Sequence, residues 1–226
     1  MLVKICGISD IESAKCAIDN GANLIGCILV PNRSRTINHE IAKEISKLVK
    51  SKRTKQLKIP NTTNVNEYFE ELAAEISRTG PYLVGVFRNQ PRDDVIRIAT
   101  ELELDFIQLH GNEDKLEYLG YGFGVIPRYI IPKEHELLKE HADILVGQLS
   151  LPLLDSDLGG EGKTIDWDYI NEKLDVGSIL AGGLTSENLP KLNNIIGFDV
   201  SGGVETNGKK DLNKIEKFIK KGRSIQ

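Results

Sequence analysis

Only three cysteines occur in the 226 residues, Cys6, Cys16 and Cys27, and no two stand at paired spacing. A low, odd count argues against a disulfide framework and fits reduced thiols in a cytoplasmic protein. Long apolar runs are also missing: no window approaches the roughly 18 residues of a membrane span. The opening "MLVKICGISD" is too short in its apolar run to read as a secretory signal. Excess positive charge is absent as well. The formal net charge is -4, which argues against nucleic acid or an anionic membrane as a partner. The four histidines, His39, His110, His135 and His141, are scattered and none pairs with a cysteine at ligand spacing, so no metal site is expected.

What is present is alternation. "LVKIC", "LIGCILV", "YLVGVF", "LDFIQLHG", "GVIPRYII", "LPLLD", "SILAGG" and "FDVSGG" read as eight strands. Between them lie segments of helical period, each with room for a crossover. Ser9 or Asp10 can cap the first helix and Gly21 can stop it, Asn38 can open the second, and Pro91 stands where another can begin. Parallel strands need helical crossovers, and eight such units close most naturally into a single (β/α)₈ (TIM) barrel over residues 1–226. An open doubly wound sheet is the alternative. Residues 51–81 exceed a minimal barrel. Tyr68, Phe69, Leu72, Ala73 and Ile76 give this segment an apolar helical face with Asn66 as cap, and it reads as a surface insertion with a basic tip.

In such a barrel, functional groups come from the C-terminal ends of strands and the loops that follow. The rule selects Cys6, the "PNRSRT" loop, Arg88, His110, Arg128, Asp155 and the "AGG" and "SGG" turns. Lys4 and Cys6 share a strand face and can both point inward. Cys6 reads either as a small buried hydrophobe or as a base that must become a thiolate. Cys16 and Cys27 read as core. Asp155 ends an apolar strand, and reads either as a loop-ordering carboxylate or as an acid raised by burial toward neutral pH. His110 is the histidine best placed for substrate contact, while His135 and His141 lie in a charged, surface-like segment. The glycine pairs Gly182-Gly183 and Gly202-Gly203 follow the last two strands, where barrels often bind phosphate on backbone N–H groups.

"GGEGKT" at 159–164 invites comparison with a nucleotide loop. That pattern wants a glycine five residues before the Gly of Gly-Lys-Thr. Asp157 stands there, so an ATP site is excluded, and the stretch reads as a cover after the sixth strand.

Taken in order, "KICGI", "PNRSRTI", "VGVFRN", "FIQLHG", "LLDSDLGGEGKTIDW", "LAGGLTSEN" and "DVSGGVETNGKKD" resemble the phosphoribosylanthranilate isomerase family, most of all its monofunctional fungal form. The resemblance covers nearly the whole chain except 51–81. It implies a cofactor-free Amadori rearrangement of N-(5-phospho-β-D-ribosyl)anthranilate, with a small phosphorylated molecule as the partner; the lack of an exposed heptad or an obvious apolar patch makes a monomer the default state. It further implies Asp155 as general acid, Cys6 as general base and Arg35 as the partner of the anthranilate carboxylate. Phosphate would lie on Gly183, Gly202 and Gly203 with the turn after Ser201 behind them, and Asp199 would hold substrate or order the site. The chain departs from many relatives at Arg33, at Ser201-Gly202-Gly203, at Glu161 and at Pro127, where a lysine is common. Whether Arg128 compensates for that lysine is left open.

Overall fold

The computed structural model describes residues 1–53, 55–156 and 165–225. Eight parallel strands close into a barrel in chain order, each paired with its sequence neighbours and the first with the last. They are β1 (Leu2–Ile5), β2 (Leu24–Ile28), β3 (Tyr82–Phe87), β4 (Phe106–Leu109), β5 (Gly124–Ile130), β6 (Leu153–Asp155), β7 (Ser178–Leu180) and β8 (Ile195–Val200). Helices α1 (Ile11–Asp19), α2 (His39–Ser51), α3 (Val65–Thr79), α4 (Arg92–Glu101), α5 (His135–Leu145), α6 (Trp167–Lys173) and α7 (Leu212–Ser224) accompany them. After β4 and β7 the described chain makes turns rather than helices. No helix among the described residues is long and apolar enough to cross a membrane.

Local chemistry explains the helix starts. Asp10 caps α1 by accepting from Ser13 N, and Asn38 caps α2 by accepting from Glu40 N. Pro91 precedes α4 as its cap residue, where a missing N–H costs nothing. Asn64, and not Asn66, caps α3. The side chain of Asn66 instead accepts from Gly177 N at 3.3 Å, just before β7.

That bond shows where the extra segment goes, and it corrects the expectation of a surface insertion. α3 buries Tyr68, Phe69, Leu72, Ala73, Ile76 and Thr79. It packs on β1 and β8, and the Tyr68 hydroxyl donates to Gln148 O ahead of β6. All these contacts lie at the N-terminal ends of strands, so α3 lies across the floor of the barrel. Asn23 ties the floor together: its Oδ1 accepts from Val3 N at 2.8 Å and its Nδ2 donates to Ser77 Oγ of α3 at 3.4 Å. The period of 65–79 specified an apolar face; only the closed barrel supplies the surface that covers it. Phe69 is fully buried, and Phe69→Ala is expected to lower unfolding free energy by about 3–5 kcal/mol, read from denaturant midpoints.

Two further expectations need correction. His135 is buried, not surface-like: it sits on the inner face of α5 with Leu138, Ala142 and Leu145, and its Nδ1 lies 2.9 Å from the Tyr169 hydroxyl. Cys16 is only partly buried, whereas Cys27 is core.

Candidate active site

Strand alternation sends a set of charged side chains inward, where burial must be matched by partners. Lys4 and Asp199 are cross-strand neighbours on β1 and β8. The Lys4 ammonium donates to Asp199 Oδ1 at 2.9 Å inside the barrel. Burial pulls Lys4 down, but Asp199 and Cys6 outweigh it and hold the ammonium above its ordinary value. One residue past β1, Cys6 is buried at the mouth. Burial pushes its thiol up while Lys4 opposes, and the net shift is upward. Cys6 is therefore held as a thiol with a cation beside it.

Asp155 ends β6 and is 2 % exposed. Its Oδ1 accepts from Ser156 N at 2.8 Å, and its Oδ2 accepts from Arg128 Nε at 3.0 Å. Burial raises this carboxyl above the usual carboxylate range against the pull of Arg128. Arg128 also donates to Ser156 O at 2.7 Å and His110 O at 3.4 Å, joining the ends of β4, β5 and β6. Pro127 lies on the other face of β5, on the side where the Tyr129 hydroxyl meets His141 of α5 at 2.9 Å. The group that β5 turns toward Asp155 is thus Arg128, not Pro127.

His110 Nε2 stands 4.0 Å from Asp155 Oδ2. Burial, then Arg128 and Lys4, hold its imidazole down at about 3, so it is neutral at physiological pH. Its buried Nδ1 has no protein partner among the described residues, nor does Oε1 of neighbouring Gln108.

The two glycine turns meet. Gly182 and Gly183 have φ of 90° and 62°, a conformation other residues rarely hold. A Cβ on Gly203 would lie 1.8 Å from Leu184 O, so the loop after β8 can touch the loop after β7 only with glycine there. A short 3₁₀ turn, Gly202–Val204, follows Ser201. The N–H groups of Gly182, Gly183, Gly202 and Gly203 donate to no backbone acceptor among the described residues. Unspent N–H groups converging from two turns form a concavity suited to an anion.

Cys6, Arg35, His110, Asp155, Asp199, Ser201 and all four glycines line one cavity of about 710 Å³, together with Arg33 and Arg88. Sequence reasoning did not single out Glu205 and Lys210, which stand just behind Ser201. Their only signal was the "GVETNGKK" stretch, whose turn residues mark a hairpin. "GGEGKT" and Glu161 lie outside the described residues, so the expected cover is not part of this geometry.

A family model described as N-(5'phosphoribosyl)anthranilate (PRA) isomerase matches residues 41–221. The N-(5'-phosphoribosyl)anthranilate isomerase of Candida albicans is 60% identical over 223 residues, spanning 99% of this chain and 98% of its own. Among solved structures, phosphoribosyl anthranilate isomerase from Thermus thermophilus superposes with a TM-score of 0.73 at 29% identity, covering 100% of both chains. Another phosphoribosyl anthranilate isomerase, solved in complex with reduced 1-(o-carboxyphenylamino)-1-deoxyribulose 5-phosphate, has a TM-score of 0.67 at 27% identity, again over 100% of both chains. The extent of the 60% match and the agreement in fold establish that this chain belongs to the N-(5'-phosphoribosyl)anthranilate isomerase family.

Proposed function

We propose that the chain converts N-(5-phospho-β-D-ribosyl)anthranilate to 1-(2-carboxyphenylamino)-1-deoxy-D-ribulose 5-phosphate in tryptophan biosynthesis, with Asp155 as general acid and Cys6 as general base. The observation that carries the reading is a buried carboxyl and a buried thiol on one cavity whose rim is a pair of glycine turns with N–H groups unspent on backbone acceptors among the described residues. Asp155 gives its proton to the ribose ring oxygen, the bond from that oxygen to C1 breaks, and the nitrogen lone pair forms an iminium ion. Once that cation has formed, Cys6 gives its own proton to solvent and the thiolate takes the proton from C2; the released electron pair neutralises the iminium to an enolamine, and a solvent proton restores Asp155. Ketonisation of the enolamine completes the isomerisation, with no atom gained or lost.

The electrostatics support this order. Burial favours the protonated form of Asp155, the form an acid needs at the outset. Burial disfavours the thiolate of Cys6 until a cation arrives, and ring opening creates that cation. Lys4 supplies part of the same stabilisation before the iminium forms. The phosphate would rest on the free N–H groups of Gly183, Gly202 and Gly203, and Arg35 would take the anthranilate carboxylate through its guanidinium fork. Asp199 would serve by fixing Lys4, and neutral His110 could donate to a substrate hydroxyl without carrying charge. The direct test follows the fluorescence of phosphoribosylanthranilate, which should decay faster with purified protein than by spontaneous hydrolysis. Decay at the uncatalysed rate would overturn the proposal.

A further inference from the structure

Arg35 is held from behind. Its Nε lies 3.2 Å from Glu205 Oε1, and its Nη1 donates to Ser201 Oγ at 3.3 Å. The same Glu205 oxygen meets Lys210 Nζ at 2.8 Å, and that ammonium also donates to Ser201 O at 2.9 Å. Glu205 and Lys210 face each other across a hairpin of two two-residue strands, β9 (Glu205–Thr206) and β10 (Lys209–Lys210). The hairpin adds nothing to the barrel sheet; it delivers this pair to the mouth. The side chains grade from 3% exposed at Lys210 through 10% at Glu205 to 32% at Arg35. A nearly buried carboxylate between two cations bears a desolvation cost that a surface pair would not. Removing the Lys210 charge would leave Glu205 only partly neutralised, so the two act as a unit.

A guanidinium presents one edge through Nε and another through its two terminal nitrogens. Glu205 stands against the first as an ion-pair partner. Among the described residues Nη2 donates to no protein group, and it borders the cavity beside Gly202.

We infer that Glu205, balanced by Lys210, is a positioning residue that fixes the Nε edge of Arg35 so that the terminal edge meets the ortho-carboxylate of the substrate. The inference rests on the assignment of Arg35 made above and deepens it: the hairpin, not Arg35 alone, makes the carboxylate a requirement. The phosphate is the other anion within reach, because Gly202 adjoins Nη2.

A double-mutant cycle separates these possibilities. Wild type, Arg35→Ala, Glu205→Gln and the double variant are each assayed on N-(5-phosphoribosyl)anthranilate and on N-(5-phosphoribosyl)aniline, which keeps the phosphate and lacks the carboxylate. Glu205→Gln should reduce kcat/KM for the anthranilate compound about tenfold, mainly through KM, as expected for one charge-assisted contact set out of place. It should leave the aniline compound unaffected and add nothing once Arg35 is alanine. If Arg35→Ala impairs both compounds alike, Arg35 serves the phosphate, and its assignment above fails regardless of Glu205. If Arg35→Ala is selective for the anthranilate compound but Glu205→Gln is silent, unselective, or equally damaging without Arg35, the positioning role is overturned. Should Glu205→Gln melt early, Glu205→Asp keeps the charge facing Lys210, loses the reach to Arg35, and is read in the same cycle.

Discussion

Asp155→Asn is expected to lower kcat by about 10²–10⁴-fold, the range that a positioned general acid contributes. The amide has nearly the same shape, so the cavity stays the same size. What disappears is the proton for the ring oxygen. Geometry predicts a second effect. The carboxylate accepts from both Arg128 Nε and Ser156 N, through different oxygens, and an amide has only one oxygen to offer. At pH values where wild-type Asp155 is ionised, the amide leaves Arg128 buried with its charge unmatched, so there the variant should also be less stable, by up to about 3–5 kcal/mol. Turnover must therefore be measured per folded molecule, by single-turnover fluorescence below the melting transition. In wild type, activity should fall as pH rises through the pKa of Asp155 in the substrate complex, because the acid form is then lost. The Asn variant should lack that limb. Near-normal turnover in folded Asp155→Asn would remove the residue from the role of acid.

Cys6→Ser is expected to cost a similar factor, about 10²–10⁴-fold, for the opposite reason. A hydroxyl is far harder to ionise than a thiol, burial makes ionisation harder still, and one lysine cannot close that gap. The thiol is already held upward by burial, and it depends on Lys4 and the transient iminium for its charge. Serine sits in the same field and gains the same help, but starts from a much higher pKa. The fold should be unaffected, since one sulfur is replaced by a smaller oxygen. Deuterium at C2 of the substrate provides the check: proton removal should become fully rate-limiting in the variant. A variant that keeps the wild-type rate would require another base.

The barrel was legible because its signal is periodic. Short apolar runs separated by amphipathic segments leave few topologies, and all eight strands lie where alternation places them. The positions of Cys6 and Asp155 followed from the same pattern, since a residue at a strand end points toward the mouth or away from it. What stayed hidden depends on contacts between distant residues. The helical period of 65–79 identified a buried face without saying what it is buried against. Asn64 and Asn66 are both good caps by residue type, and only the proximity of Gly177 assigns Asn66 a different task. Arg128 was an open question because one residue of register on β5 decides which side chain faces Asp155. Glu205 and Lys210 escaped notice because strands of two residues have no period to detect.

α3 has a consequence for how the molecule comes together and comes apart. A ring of strands has one joint that no local segment can make, here the pairing of β1 with β8, where Lys4 and Asp199 lie 195 residues apart. Such a closure carries the largest loop entropy in the chain and forms late. α3 is made of residues from the first 80 of the sequence, yet it rests on both partners of that joint. It acts as a clasp. Until the last strand docks, Phe69 and its neighbours lack part of their cover, and the ring can open only if the clasp lifts with it. A truncated barrel missing β8 is therefore left with two exposed surfaces rather than one, and the first and last strands share one fate with a helix that belongs to neither.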